Sequence, residues 1–107
     1  MSRKFKVMIS QPMRGKTNEQ IRQERAELVK RLEKDNFEVV DTIISENAPK
    51  GCNEAMYYLS KSIEIMSKVD IVYFMKGWEK ARGCKIENKI CQDYGKQIMY
   101  DIYEEGE

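Results

Sequence analysis

Val69-Asp70-Ile71-Val72-Tyr73-Phe74 is the most apolar strand-like run in the chain, and its composition decides the fold. A strand with one wet face alternates apolar and polar residues. One that is apolar almost throughout is buried on both faces, which marks a central strand of a parallel sheet covered by helices. The segments on either side agree with that reading. Upstream, Met56, Leu59, Ile63 and Met66 recur at helical spacing. Downstream, residues 75–83 are irregular, and 84–94 read as a helix with Ile86, Ile90 and Cys91 inward. Gly95 closes that helix, and 96–100 is a further strand.

The first half of the chain repeats the alternation. Residues 5–10 (Phe-Lys-Val-Met-Ile-Ser) form a short apolar strand that ends at Gln11-Pro12-Met13-Arg14-Gly15-Lys16, where Pro and Gly break regular structure. Thr17 with Gln20 makes a capping-box pattern that opens a helix. Ile21, Arg25, Leu28 and Leu32 give its apolar stripe, the arginine lying along it by its stem, and Glu24, Glu27, Lys30, Arg31 and Lys34 give the solvated face. The helix ends at Asp35-Asn36, residues 37–41 form a second strand, and 42–55 are long and irregular. The order β-α-β-α-β-α-β, with single helices as crossovers, predicts one α/β domain over residues 1–107. Its open parallel sheet has four to five strands, helices on both faces and right-handed connections.

An asymmetry between the connections places the function. Those that follow helices are short, whereas those that follow strands are long and hold both prolines, most of the glycines and the only Trp. Long loops in a compact domain are usually functional, and open α/β sheets bind ligands at the carboxyl ends of their strands. A cleft is expected there.

Composition narrows what such a cleft can do. Among 107 residues, 41% are hydrophobic and 35% charged, a globular balance. The net charge is only +1, which argues against affinity for the phosphate backbone of a nucleic acid polymer. No apolar run approaches the roughly 20 residues of a membrane span. The opening residues carry no signal-peptide pattern. Three cysteines, at 52, 84 and 91, fit a reducing compartment, so a cytoplasmic location is expected. Cys84 and Cys91 read as small core residues on one helix face. There is no His and no C-x-x-C pair, so no zinc site and no metal is expected, and mechanisms that need a histidine are excluded. No other cofactor is implied.

Two loops hold residues with chemistry. Ser10, Gln11, Arg14 and Gly15 stand just before a helix N-terminus, whose free N–H groups and dipole suit a phosphate that Arg14 can grip bidentately. An ordinary strand-to-helix turn with a surface arginine reads the same way. The second is Gly77-Trp78-Glu79-Lys80-Ala81-Arg82-Gly83-Cys84-Lys85-Ile86-Glu87. Gly83 permits close backbone approach at the start of a helix. Glu87, one turn further in and flanked by Ile86 and Ile90, is a partly shielded carboxylate that can attack as a nucleophile or stabilise a cation. A surface glutamate is the competing reading. Trp78 either stacks on a base or lids the core.

At these loops the chain resembles the superfamily of nucleoside 2-deoxyribosyltransferases and 2′-deoxynucleoside 5′-phosphate N-hydrolases, most closely a small, often phage-encoded branch. The likeness is carried by Lys6-Val7-Met8-Ile9-Ser10-Gln11-Pro12-Met13-Arg14-Gly15, by Val69–Tyr73 with Gly77-Trp78-Glu79, by Arg82–Glu87, and by Asp93-Tyr94-Gly95-Lys96-Gln97-Ile98. It implies a flavodoxin-like fold and a nucleoside or nucleotide substrate. It also implies a glutamate at Glu87 that attacks the anomeric carbon, after which water or a second base resolves the glycosyl-enzyme. The Arg14–Gly15 loop then corresponds to the phosphate loop of the N-hydrolases. Two positions depart from the enzymes: Met8 stands where they carry a tyrosine that orients the glutamate, and Ser62 where they carry an aspartate that contacts the sugar.

The expected function is cleavage or exchange of the N-glycosidic bond of a (deoxy)nucleoside or its 5′-monophosphate. Its catalytic residue is Glu87, and Ser10, Gln11, Arg14, Gly15, Ser62, Trp78 and Gly83 bind the substrate. The alternative is a non-catalytic nucleotide- or metabolite-binding module on the same fold. Exposed Met56, Tyr57 and Tyr58 beside a long loop, together with the assembly habit of the resembled superfamily, imply a homodimer or larger oligomer.

Overall fold

The computed structural model describes residues 4–40 and 47–101. Its two inner strands are the two most apolar. β3 (Ile71–Phe74) is buried along its whole length, and β1 (Lys6–Ser10) is buried from its second residue onward. With β2 (Glu38–Val40) and β4 (Gln97–Tyr100) they form a four-stranded sheet in the order β2-β1-β3-β4. Every pairing is parallel: Val7 stands opposite Val39 on one side and Ile71 on the other, and Val72 stands opposite Ile98. This is the flavodoxin-like arrangement.

The period of two along β1 and β3 divides the core between the faces. Val7, Ile9, Ile71 and Tyr73 turn to one side, where Leu28 and Leu32 of α1 (Asn18–Lys34) cover them. Met8, Val72 and Phe74 turn to the other. There they meet Met66 of α2 (Glu54–Met66) and Cys84 and Cys91 of α3 (Arg82–Tyr94). Val72 and Phe74 are wholly enclosed, and burial of each side chain contributes about 1.5–3 kcal/mol. The capping box forms as expected: the Gln20 amide donates to the Thr17 hydroxyl at 3.1 Å, and the Thr17 amide donates to the Gln20 side chain at 2.8 Å. Gly95 ends α3 in the left-handed region at φ 70°, its amide donating to the Cys91 carbonyl.

Element boundaries shift where the first turn of a helix is polar. α2 begins at Glu54, capped by the Asn53 side chain, and α3 begins at Arg82, both two residues ahead of their apolar stripes. β3 starts at Ile71 because the main chain of Asp70 is still bonded to that of Lys6, while the Asp70 carboxylate accepts from the Lys6 amide at 2.8 Å. Within 75–83 a single 3-10 turn, Trp78–Lys80, follows Gly77 at φ 94°. Asp41 of the expected second strand, and residues 42–46 of the connection after it, lie outside the described residues.

Three burial expectations are corrected. On α2 only Met66 of the apolar stripe is fully buried and Ile63 is 37% exposed, while Met56 is exposed as expected. That helix reaches the core with its last turn. On α3, Ile86 is 39% exposed, and the buried stripe is Cys84, Glu87, Asn88 and Cys91. Apolarity points away from this stripe because two of its members are polar. Tyr57 and Tyr58 are half-buried rather than exposed, their rings meeting edge to face at 5.6 Å. Among the described residues no helix is long and apolar enough to cross a membrane.

Candidate active site

The site forms where the strand order reverses, between β1 and β3, at the carboxyl ends of both. The alternation that sends Val7 and Ile9 to α1 sends Met8 and Ser10 to the face held by α2 and α3. Ser10, the last residue of β1, therefore meets the buried stripe of α3. Its hydroxyl donates to Glu87 Oε1 at 2.6 Å, joining residues 77 positions apart. From α2, Ser62 borders the same cleft and pulls the Glu87 pKa down. A carboxyl group whose residue is 7% exposed is thus held by a hydroxyl from the end of β1.

Burial dominates the electrostatics. It raises the Glu87 pKa above its ordinary 4.5, against the opposing pull of the Ser10 and Ser62 hydrogen bonds. The Cys84 thiol is pushed up by burial and by the neighbouring Glu87 charge, and burial pushes Cys91 up to about 11. Both thiols stay protonated near neutral pH, so neither is a ready nucleophile.

Above Glu87 lies an open cleft of about 650 Å³. Met8, Ser10, Gln11, Met13 and Arg14 line it from β1 and the loop after it, Ser62 from α2, and Lys80 to Cys84 from the loop and first turn of α3. Glu87, Ser10, Gln11, Arg14, Ser62 and Gly83 all border this one space. Gly83 has no positive φ, and a Cβ built on it meets no atom within 4 Å. Neither backbone strain nor packing inside the chain demands a glycine there, so the open space over α3 is what it serves. Gln11 is buried, its Nε2 donating to the Ile21 carbonyl at 2.9 Å, while its Oε1 has no hydrogen-bond partner.

Two expected residues stand apart. Gly15, at φ 81°, shapes the loop but is not on the cleft wall. Trp78 stacks on Tyr100 at 5.6 Å and 28° and leans on Phe74, so it lids the core over β3 and β4 and borders a different, shallower recess. Lys80 and Arg82 are the cleft residues the sequence reading passed over. Their signal was two cations beside a glycine in the loop after the central strand. Among the described residues, no group of three or more His, Cys, Asp or Glu side chains stands together as a metal would need.

A domain of unknown function, DUF4406, matches residues 5–100, nearly the whole chain. No curated protein matches it.

Proposed function

We propose, for a chain that belongs to the DUF4406 family, cleavage or exchange of the N-glycosidic bond of a (deoxy)nucleoside or its 5′-monophosphate. The observation that carries this reading is Glu87, buried at the cleft and held by the Ser10 hydroxyl at 2.6 Å. The likeness to the deoxyribosyltransferases and N-hydrolases supplies the chemistry. The Glu87 carboxylate attacks C1′ and the C1′–N bond breaks, its electron pair leaving with the base. The base takes a proton from solvent. Water, or an acceptor base, then attacks C1′ of the glycosyl ester and frees the carboxylate. Where the resembled enzymes orient their glutamate with tyrosine, Met8 offers nothing polar, and the Ser10 hydroxyl takes over the task. Arg14 and the main chain before α1 are suited to a 5′-phosphate. A cytoplasmic setting accompanies the reading, supported by three free cysteines. So does self-association, supported by an apolar groove between Ile63, Met66, Ile90 and Tyr94.

One observation favours the alternative, a nucleotide-binding module without turnover. Glu87 is the only carboxyl among the described residues lining the cleft, whereas glycoside hydrolysis ordinarily uses a pair. Incubation with a panel of nucleosides and 5′-monophosphates, with and without an acceptor base, separates the two. Base released by the wild type and not by Glu87→Gln supports the enzyme. Ligand binding with both proteins silent overturns it in favour of the module. Absence of both binding and release removes both.

A further inference from the structure

The cleft walls carry three cations, Arg14 from the loop after β1 and Lys80 and Arg82 from the loop before α3. Among the described residues none of the three forms an ion pair with an acidic side chain. The neighbouring recess on the α1 face is built differently. There Lys16 meets Glu24 at 2.8 Å and Arg31 meets Asp101 at 3.6 Å. The chain thus matches cations with acids in one recess and leaves them unmatched in the other. The single carboxyl of the cleft, Glu87, accepts from Ser10 and pairs with none of the three, so at most one of their charges is offset.

A phosphomonoester brings about 1.5 to 2 negative charges. Arg14 by its guanidinium fork suffices for one such group, which leaves Lys80 and Arg82 free for another. These two flank Ala81, the N-cap of α3, which makes no side-chain cap and is followed by a first turn free of acidic residues. The positive end of that helix adds to their field. An arginine fork and a lysine point charge side by side are the usual pair for phosphoryl oxygens.

We infer that the cleft takes a nucleoside 5′-diphosphate, with Arg14 on one phosphoryl group and Lys80 and Arg82 on the other. The inference rests on the nucleotide reading above and extends it from a mono- to a diphosphate ester. Lys80 and Arg82 set specificity here. They bind the phosphoryl group distant from C1′ and take no part in the reaction.

The test is calorimetric titration in metal-free buffer with deoxynucleosides, their 5′-monophosphates and their 5′-diphosphates. The proteins are the wild type, Lys80→Ala/Arg82→Ala and Arg14→Ala. Both lysine and arginine are exposed, so the double variant retains the fold. The wild type is expected to prefer diphosphate over monophosphate by about tenfold, as one added charge-assisted contact gives. In the double variant that preference falls below about twofold while monophosphate affinity holds, and in Arg14→Ala both nucleotides weaken. Equal affinity of the wild type for the two, or a preference that survives the double substitution, overturns the inference and leaves the monophosphate reading standing. Failure of every nucleotide to bind removes the inference together with the reading it rests on.

Discussion

Glu87 is held in its place by the Ser10 hydroxyl, and its neighbours also tune it. Ser10 and Ser62 lower its pKa while burial raises it, so Ser10→Ala removes a stabilising partner of the charged form and moves the pKa further up. Activity that needs the carboxylate therefore rises with pH along a limb above the ordinary glutamate range, and Ser10→Ala displaces that limb upward. A pH–rate profile of both proteins measures this. Loss of one hydrogen bond to a charged group also predicts a rate about tenfold to a hundredfold lower on the plateau. Stability has a definite sign as well. A carboxyl whose folded pKa is raised binds more protons folded than unfolded across the interval above 4.5, so its contribution to stability falls as pH rises through that interval and then levels. Urea denaturation near pH 4.5 and pH 7.5 should show wild type losing ground to Glu87→Gln between the two. Gly83→Ala separates stability from function. Helix propensity predicts a gain of about 0.5–1 kcal/mol in denaturant midpoint measurements, while ligand binding at the cleft weakens because a methyl group enters it.

At the scale of elements, the ends were more legible than the faces. Thr17 and Gln20 announce α1 by a local pattern, and the structure forms both of its hydrogen bonds. Thr17→Ala is expected to cost about 1 kcal/mol, read as a lower thermal midpoint, with a looser Arg14 loop upstream. Gly95, at φ 70° with no atom near its missing Cβ, should cost about 1–2 kcal/mol on replacement by alanine through backbone strain alone. Faces were harder to read because hydrophobicity is only a proxy for burial. The buried stripe of α3 includes Glu87 and Asn88, whose polar groups are satisfied by Ser10, by Tyr100 at 3.1 Å and by Gln92 at 2.6 Å. Those partners come from β1, from β4 and from the next turn of the helix, and no local pattern reveals the strand partners. Apolarity instead selected Ile86, which the structure leaves on the surface. Trp78 went the same way: its loop position was evident, whereas its stacking on Tyr100 depends on how β3 and β4 pair.

On the scale of the whole molecule, the parallel sheet followed from the alternation of strands and helices, and it holds, while loop lengths pointed to the strand ends where the cleft lies. The α2–α3 surface is what the chain leaves unfinished, since Ile63, Met66, Ile90 and Tyr94 border an apolar groove and Tyr94 is 85% exposed. Self-association through it predicts that Ile63→Glu shifts the sedimentation behaviour toward monomer with little change in thermal midpoint. Unchanged sedimentation of a multimeric protein would place the contact elsewhere.

The reversal of strand order has a consequence in time. β1 is an inner strand, yet its second neighbour is β3, and the Ser10–Glu87 contact spans 77 positions. At about 5–20 residues per second of synthesis, roughly 4–15 s separate the appearance of the two residues on the ribosome. Until β3 is made, β1 has at least one open flank, and until Glu87 is made no ligand of the cleft can assist folding, because the cleft does not yet exist. A molecule that binds the cleft can stabilise the finished protein but never the nascent one, and a long-range parallel pairing of this kind puts the molecule among slow folders for its size.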